Sequence, residues 1–278
     1  MLADVLQYLR CPICAEPLTE TADGAALRCP AGHSFDRARH GYVNLGIGRM
    51  PHPGDPAPMV SARAEFLTAG HYQPLSAALA VAAREAYPGR GLVTDVGAGT
   101  GHHLAQVLDA LPGAAGLAID VSKAALRRAA RAHPRADAVL CDVWRGLPLV
   151  DDAVGVLLNV FSPRNGAEFR RVLRPDGAVL VVTPTRHHLA ELVDPLRLLR
   201  VDPAKDRRVA ARLAGFAPAA VDVAEAPLTL GHDEVATVVG MGPSAWHTGP
   251  DALAGAIAAL PDPLTVTLSV RVTTYRPV

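Results

Sequence analysis

The chain has 278 residues, half of them apolar, and its 27 Lys and Arg balance 27 Asp and Glu. This balance excludes the strongly basic field of a general nucleic-acid binder, although it allows a local basic face. The N-terminus lacks the apolar run of a signal peptide and no segment has the length of a membrane span, so we expect a soluble, cytoplasmic protein with no membrane partner.

Three of the four cysteines lie in the first 33 residues. Cys11-x2-Cys14 is followed, after a 14-residue gap, by Cys29-x3-His33. Each pair fits a tight turn, and together they make the four-ligand set that a tetrahedral zinc ion prefers. The alternative is a set of ordinary thiols or a redox Cys-x-x-Cys, which needs no second pair ending in histidine. The spacing predicts a closed, structural zinc site.

The composition changes after this cluster. Arg37 and Arg39 follow the second pair and are candidates for phosphate contacts. A Pro- and Gly-rich stretch at 49–58 predicts a linker. We therefore expect a zinc-binding module over 1–48 and a larger domain over 59–278.

A glycine-rich turn follows the first apolar strand of the larger domain. Gly97, Gly99 and Gly101 alternate after Asp95, whereas a dinucleotide fingerprint would place its third glycine at position 102, which is His102. Glycine lets the backbone approach a ligand, and the helix that follows begins with free N–H groups. The pattern resembles the first motif of class I methyltransferases that use S-adenosylmethionine.

Strands and helices alternate through residue 184, which predicts an α/β fold with a parallel sheet and a ligand site at the carboxyl ends of its strands. Asp120 ends the second strand and is placed to accept both ribose hydroxyls. Asp142 ends the third, where it contacts adenine or caps a helix. Two strands at 219–230 and 264–278 complete a seven-stranded mixed sheet of the Rossmann-like type, with a helical insertion at about 232–260.

Longer stretches resemble the RlmA family of bacterial 23S rRNA (guanine-N1)-methyltransferases, and most closely its RlmA-II branch. The stretches are CPIC…CPAGHSFDRARHGYVNLG, HPGD…MVSARAEFLTAGHYQPL, DVGAGTGHHLAQVL, NVFSPRN, RVLRPDGAVLVVTP and MGPSAWH. The resemblance implies methyl transfer from S-adenosylmethionine to N1 of a guanine in hairpin 35 of 23S rRNA. Some members give resistance to mycinosylated macrolides. From the order of the parts, a metal-held module, a connector and then a complete cofactor fold, we expect residues 1–48 to be an RNA-recognition module.

The resemblance implies roles for individual residues. Zinc is held by the two ligand pairs described above. S-adenosylmethionine contacts Tyr72, Thr100, Gly101 and His188, beside the glycine turn and Asp120. For Tyr72, ordinary packing of an amphipathic side chain is the alternative.

The catalytic residues are less defined than the cofactor site. Guanine N1 carries a proton near neutral pH, and no single side chain stands out as its acceptor. Asn159 and Phe161 lie where base-modifying methyltransferases often carry [ND]PP[YF], and Phe161 either stacks on the base or packs in the core. Trp246 is a second stacking candidate. Because N1 lies on the Watson–Crick edge, the target guanine must be unpaired or extruded.

Two other functions stay open at this stage. One is a small-molecule methyltransferase that dimerises through its zinc module. The other is a zinc-binding RNA adaptor without enzymatic activity. The oligomeric state is also open, with a homodimer as one option.

Overall fold

The computed structural model describes residues 3–48, 54–202, 204–242 and 249–278. The strands are β1 (Thr19–Glu20), β2 (Ala26–Arg28), β3 (Ser34–Asp36), β4 (Val43–Asn44), β5 (Leu92–Val96), β6 (Gly116–Asp120), β7 (Ala136–Leu140), β8 (Val154–Val160), β9 (Leu173–Pro184), β10 (Phe216–Leu230) and β11 (Leu264–Pro277). The α-helices are α1 (Ala3–Leu6), α2 (Ala57–Thr68), α3 (Gln73–Ala86), α4 (His102–Ala110), α5 (Lys123–Ala129), α6 (Gly166–Val172), α7 (Ala190–Val193), α8 (Lys205–Arg212), α9 (His232–Gly240) and α10 (Pro250–Ala258).

Eight strands form one mixed sheet in the order β10-β11-β9-β8-β5-β6-β7-β4, and β1, β2 and β3 form a separate small sheet. The strands from β9 to β4 in this order run parallel, whereas β11 and β10 run antiparallel to their neighbours. Parallel neighbours require crossovers, which the intervening helices supply. The carboxyl ends of β5 to β8 therefore meet at one edge of the sheet.

The prediction of seven strands is wrong by one. The additional strand, β4, comes from the N-terminal module and pairs in parallel with β7, with Val43 opposite Val139. The pairing continues beyond the strand, where the Leu45 N–H donates to the Leu140 carbonyl at 3.0 Å. A strand of two residues has no alternation to reveal it, and its partner lies about a hundred residues away.

The two faces of the large sheet bury separate hydrophobic layers. Successive strand residues alternate between them: Val93 and Ala118 pack in one layer, Leu92 and Leu117 in the other. The first layer contains apolar side chains of α2 to α5 and of α9 and α10. The second contains α6 and side chains of the N-terminal module. The zinc module and the large sheet therefore share one core.

Hydrogen bonds also join the N-terminal module to the large sheet. The Arg10 N–H donates to the Pro148 carbonyl at 3.1 Å, and the Val150 N–H donates to the Tyr8 carbonyl at 2.9 Å. The Arg10 side chain forms an ion pair with Asp151 at 3.5 Å. These contacts fix the orientation of the module relative to the sheet.

The predicted linker and insertion are only partly described. Residues 49–53 and Trp246 lie outside the described residues. Within the insertion, α9 and α10 pack on the same layer as α2 and α3. No helix among the described residues is long and apolar enough to cross a membrane.

Candidate zinc centre and cofactor cavity

The four zinc ligands predicted from the sequence converge on one point. The sulfur atoms of Cys14 and Cys29 are 3.6 Å apart. His33 Nδ1 lies 3.6 Å from the Cys11 sulfur and 3.3 Å from the Cys29 sulfur. All four ligand atoms lie within 4.8 Å of one another.

These distances fit a zinc ion. Zinc–sulfur bonds of about 2.3 Å place two tetrahedral sulfur ligands about 3.8 Å apart, and a sulfur and a nitrogen slightly closer. Two of the cysteines, Cys11 and Cys29, are buried. Four protein ligands complete a tetrahedron, so a zinc ion held here has no open position for substrate and its role is structural.

A cavity of about 860 Å³ opens at the carboxyl edge of the large sheet. Nine of the residues singled out from the sequence line it: Tyr72, Asp95, Gly97, Gly99, Thr100, Asp120, Asp142, Phe161 and His188. Two others, Gly101 and Asn159, are not among the described residues that form its wall. The sheet topology thus brings together side chains that are more than 100 residues apart in the chain.

The glycine turn serves two different packing requirements. Gly97 has φ +78°, and a Cβ there would lie 2.4 Å from the Ser162 Cβ. Gly101 also has φ +78°, and a Cβ there would lie 2.9 Å from the Ala129 Cα. Gly97 therefore allows the loop after β8 to approach the turn, whereas Gly101 allows the start of α4 to pack on α5.

Asp120 connects the end of β6 to the glycine turn. One of its carboxylate oxygens accepts from the Gly99 N–H at 2.8 Å, and the other accepts from the Ser122 N–H at 2.7 Å. Burial raises the pKa of Asp120, although both N–H donors oppose this change. The carboxylate is therefore held in place at the cavity wall.

Asp95 is the most perturbed acid of the cavity. It is fully buried, and its Oδ1 atom has no hydrogen-bond partner among the described residues. Burial, and then the nearby charge of Asp120, raise the pKa of Asp95 to about 8. A buried acceptor without a partner, next to a glycine turn, fits a cofactor that supplies a hydrogen-bond donor.

Tyr72 and His188 form a hydrogen-bonded pair across the cavity. The Ser269 N–H donates to His188 Nδ1 at 3.3 Å, and His188 Nε2 lies 3.2 Å from the Tyr72 hydroxyl. Burial lowers the pKa of His188 to about 4, so the ring is neutral at pH 7. Since Nδ1 accepts, Nε2 carries the proton and donates to Tyr72. The Tyr72 hydroxyl proton is then available to a ligand.

Asp142 caps a helix, as one of its two predicted roles requires, and it also lines the cavity. Its carboxylate accepts from the Trp144 N–H at 3.0 Å and so caps the short 3₁₀ helix Val143–Arg145. It also lies in the cavity wall. The capping contact does not prevent a contact with a ligand, because a carboxylate has further acceptor positions.

The loop after β8 separates the roles of Asn159 and Phe161. Asn159 is fully buried and donates to Ser162 Oγ at 2.6 Å and to the Pro163 carbonyl at 2.8 Å, so it holds the loop. Phe161 has φ +51°, remains 44% exposed, and stacks beside His188 with ring centroids 6.0 Å apart. This exposure excludes the core role that was one option for Phe161.

Sequence reasoning missed a group of cavity residues before and within α2. Arg63 forms an ion pair with Asp55 and donates to the Met241 carbonyl at 3.0 Å. The Asp55 carbonyl accepts from Ser122 Oγ at 2.6 Å. The Pro-Gly-Asp-Pro run suits a linker and the start of a helix equally well, and the sequence alone does not distinguish the two.

Comparisons with known proteins agree with this architecture. Residues 9–46 match the family described as "RlmA, N-terminal", and residues 93–177 match the family described as "Methyltransferase domain". The chain is 61% identical to a Micromonospora griseorubida protein assigned to the 23S rRNA (guanine-N(1)-)-methyltransferases, with both chains fully covered. It is 52% identical to the 23S rRNA (guanine(748)-N(1))-methyltransferase of Streptomyces fradiae, covering 100% of this chain and 99% of the relative.

A solved structure, the YcgJ protein of Bacillus subtilis, aligns with a TM-score of 0.47 at 15% identity, over 72% of this chain and 98% of that chain. The sheet, the glycine turn and the zinc ligands define a class I methyltransferase with an N-terminal zinc ribbon. The chain belongs to the family of 23S rRNA (guanine-N1)-methyltransferases.

Proposed function

We propose that the protein transfers a methyl group from S-adenosylmethionine to N1 of a guanine in 23S rRNA. The observation that carries this proposal is the convergence of the glycine turn, Asp120 and the exposed Phe161 on one cavity, in a chain that matches rRNA methyltransferases over its whole length. The same match disfavours the small-molecule methyltransferase and the adaptor as alternatives. We also propose a cytoplasmic location, because an rRNA substrate is found there.

The cofactor residues remain those named from the sequence. Asp120 is positioned to accept from the ribose hydroxyls, and Asp142 from the adenine amino group. Asp95, with its unpartnered oxygen, and the Tyr72 hydroxyl supply an acceptor and a donor for the methionine end. When bound, S-adenosylmethionine supplies an electrophilic methyl group on a positively charged sulfur.

The protein's part in the transfer is alignment and exclusion of water. Phe161 lies in the wall as a flat, exposed ring on which an extruded guanine stacks. The insertion around α9 contributes Val238 and Val239 to the same wall and so shields the cavity from solvent. His188 has both ring nitrogens in hydrogen bonds, which argues against it as the acceptor of the N1 proton.

We place the target guanine in hairpin 35 of 23S rRNA and assign the zinc module to RNA recognition. The name of the Streptomyces fradiae relative specifies guanine 748. Arg37 and Arg39 lie on the module, where Arg37 forms an ion pair with Glu20 at 3.2 Å. Resistance to mycinosylated macrolides is the physiological consequence that we propose.

Primer extension on 23S rRNA tests this function directly, because N1-methylguanine blocks base pairing and stops the polymerase. RNA from cells with the gene should show one strong stop next to the target guanine, and RNA from cells without it should not. Purified protein with labelled cofactor should restore the stop in unmodified RNA. Transfer to small metabolites but not to RNA would contradict the proposal.

Asp120→Ala tests the cofactor assignment. We expect its affinity for S-adenosylmethionine to fall by about 1–3 kcal/mol, because the ribose hydroxyls lose a charged acceptor. Calorimetry with S-adenosylhomocysteine should show the same loss, since that product keeps the ribose. Asp251→Ala, an exposed acid on α10, is the matched control and should keep wild-type affinity. An unchanged dissociation constant for Asp120→Ala would move the ribose site elsewhere.

A homodimer is a further part of the proposal. It is supported by the outer strand β10, which is 15 residues long and exposes the side chains of Val221 and Val223. Light scattering of the purified protein at several concentrations gives the mass directly, and a monomer at all of them would contradict it.

A further inference from the structure

One part of the cavity wall has no role in the cofactor site. It comes from residues 198–202 and from the start of α8, and it includes Arg200, Lys205 and Arg208. Residues 197–212 contain six Lys and Arg and only two Asp, in a chain whose charges balance overall. Positive charge is therefore concentrated in this segment, whose Arg200, Lys205 and Arg208 line the cavity.

The ion pairs of these arginines are weak enough to be exchanged. Arg200 pairs with Asp194, and Arg208 pairs with Asp202. Most of these side chains are largely exposed. Exposed ion pairs contribute little net free energy in water, so a phosphate can replace the carboxylate with little loss.

An exposed aromatic ring lines the same cavity as these cations. Trp144 lines the same cavity and is 45% exposed, although tryptophan is among the most apolar side chains. The Arg212 guanidinium lies 5.4 Å from the centroid of the ring and covers one of its faces. The Asp142 carboxylate fixes the Trp144 backbone. Exposed aromatic rings between basic side chains are typical of sites for single-stranded nucleic acid.

We propose that Arg200, Lys205, Arg208 and Trp144 form a rim that holds the RNA strand flanking the target guanine. The inference rests on the proposed function. An extruded guanine takes its neighbouring nucleotides out of their helix, so these also need partners on the protein. The three cations bind the flanking phosphates, and a neighbouring base stacks on Trp144. This rim is separate from the zinc module, which carries Arg37 and Arg39.

Two double variants of the full-length, zinc-loaded protein test the phosphate contacts. Arg200→Ala with Arg208→Ala removes two cations of the rim. Arg197→Ala with Arg207→Ala removes the same charge from exposed positions of the same segment that do not line the cavity. Binding to a fluorescent hairpin 35 RNA is measured over a range of salt concentrations, together with calorimetry for S-adenosylhomocysteine.

The slope of log affinity against log salt is negative, and the rim variant should reduce its magnitude by about 1.4. This value corresponds to the loss of two phosphate contacts, each of which contributes about 0.7 for a single strand. Its dissociation constant for the RNA should rise about tenfold, with unchanged affinity for S-adenosylhomocysteine. The control variant should keep the wild-type slope. Equal slopes in the two variants would overturn the rim, as would a loss of S-adenosylhomocysteine affinity, which would place these arginines in the cofactor site.

Trp144→Leu and Trp144→Phe test the stacking contact independently. The leucine variant should raise KM for the RNA at least about fivefold, and the phenylalanine variant should restore most of this loss because it keeps a flat ring. Equal KM values for leucine and phenylalanine would overturn the stacking role. If the wild type itself fails to methylate 23S rRNA, the proposed function fails, whereas wild-type methylation with insensitive variants refutes only the rim.

Discussion

The zinc cluster and the cofactor cavity both concentrate reactive side chains, but only the zinc cluster has all its ligand atoms directed at a single point. The four ligand atoms of the zinc cluster lie within 4.8 Å of one another. The cavity instead keeps a buried carboxyl oxygen of Asp95 without a partner among the described residues, and it exposes the ring of Phe161. A structural site is complete when its ion is bound, whereas a site for substrates leaves groups to be satisfied by what enters.

The two regions also differ in how the fold supports them. The zinc cluster lies among short strands that cannot bury a core of their own, and Val5, Leu9 and Leu45 pack instead against the large sheet. The cavity instead lies at the carboxyl ends of the buried parallel strands β5 to β8. Loss of the zinc ion should therefore lower the stability of the fold. Substitutions in the cavity should mainly weaken ligand binding, and those at buried cavity residues should also change stability.

Cys14→Ser is expected to give the largest effect, because it breaks the closed site. Zinc content should fall from one ion per chain to nearly none. The free energy of unfolding should fall by several kcal/mol, since a structural zinc site contributes its binding free energy, about 10 kcal/mol in zinc-finger peptides, to folding. Metal analysis and urea unfolding measure both quantities.

The control for this prediction is Cys141→Ser. Cys141 is the remaining cysteine; it is buried, and its sulfur donates to the Gly146 carbonyl at 3.2 Å, away from the cluster. This variant should keep one zinc ion per chain. Full metal content in Cys14→Ser would show that the cluster is not the zinc site.

Asp95→Asn is expected to give the next largest effect, which is a change in the way the free energy of unfolding depends on pH. The pKa of Asp95 is about 8 in the folded chain and about 3.9 in an unfolded one. The folded state therefore keeps a proton that the unfolded state releases. The contribution of Asp95 to stability is therefore complete below about pH 4. As the pH rises from there to about 8, the free energy of unfolding falls by up to about 1.4 kcal/mol per pH unit.

Urea unfolding of wild type and Asp95→Asn at several values between pH 5 and pH 8 measures this dependence. Stability of the variant relative to wild type should increase with pH, because asparagine does not ionise. Asp151→Asn is the control: a hydrogen bond from Arg171 lowers the pKa of Asp151, so its contribution is lost only in acid and stays flat over this range. Parallel pH curves for wild type and Asp95→Asn would contradict the raised pKa.

Where the signal is local, the sequence predicts which residues the fold brings together. The spacing of the cysteines and His33 identifies the zinc ligands, and the glycine turn after β5 identifies the cofactor edge. Asp120 follows from the same logic, because carboxyl ends of adjacent parallel strands meet. In each case the functional residues lie in a short stretch of sequence that identifies them, and the fold only brings these stretches together.

The sequence fails where a contact depends on distant parts of the chain. The pairing of β4 with β7 joins segments about a hundred residues apart, and no pattern in two residues indicates it. The contacts of Arg63 with Asp55 and with the Met241 carbonyl depend on how the insertion packs against α2. Trp144 was overlooked because a single tryptophan is more often a core residue than a surface platform.

Gly97→Ala, compared with Gly113→Ala, is expected to give the smallest effect and separates backbone strain from close packing in the cavity wall. Both glycines have positive φ, +78° and +83°, so alanine costs about 1–2 kcal/mol of backbone strain at either position. A Cβ at position 113 has no heavy atom within 4 Å, whereas at position 97 it would lie 2.4 Å from the Ser162 Cβ. Gly97→Ala should therefore lose a further 1–3 kcal/mol or so of unfolding free energy, the usual range for overpacking.

Gly97→Ala should also weaken binding of S-adenosylhomocysteine. The Ser162 hydroxyl is held by its hydrogen bond to the Val96 carbonyl at 2.6 Å, so the glycine turn must move instead. Urea unfolding and calorimetry measure the two losses. Equal destabilisation of both variants, with unchanged binding, would mean that the loop after β8 yields without cost and that the glycine turn is not the rigid part of the cavity.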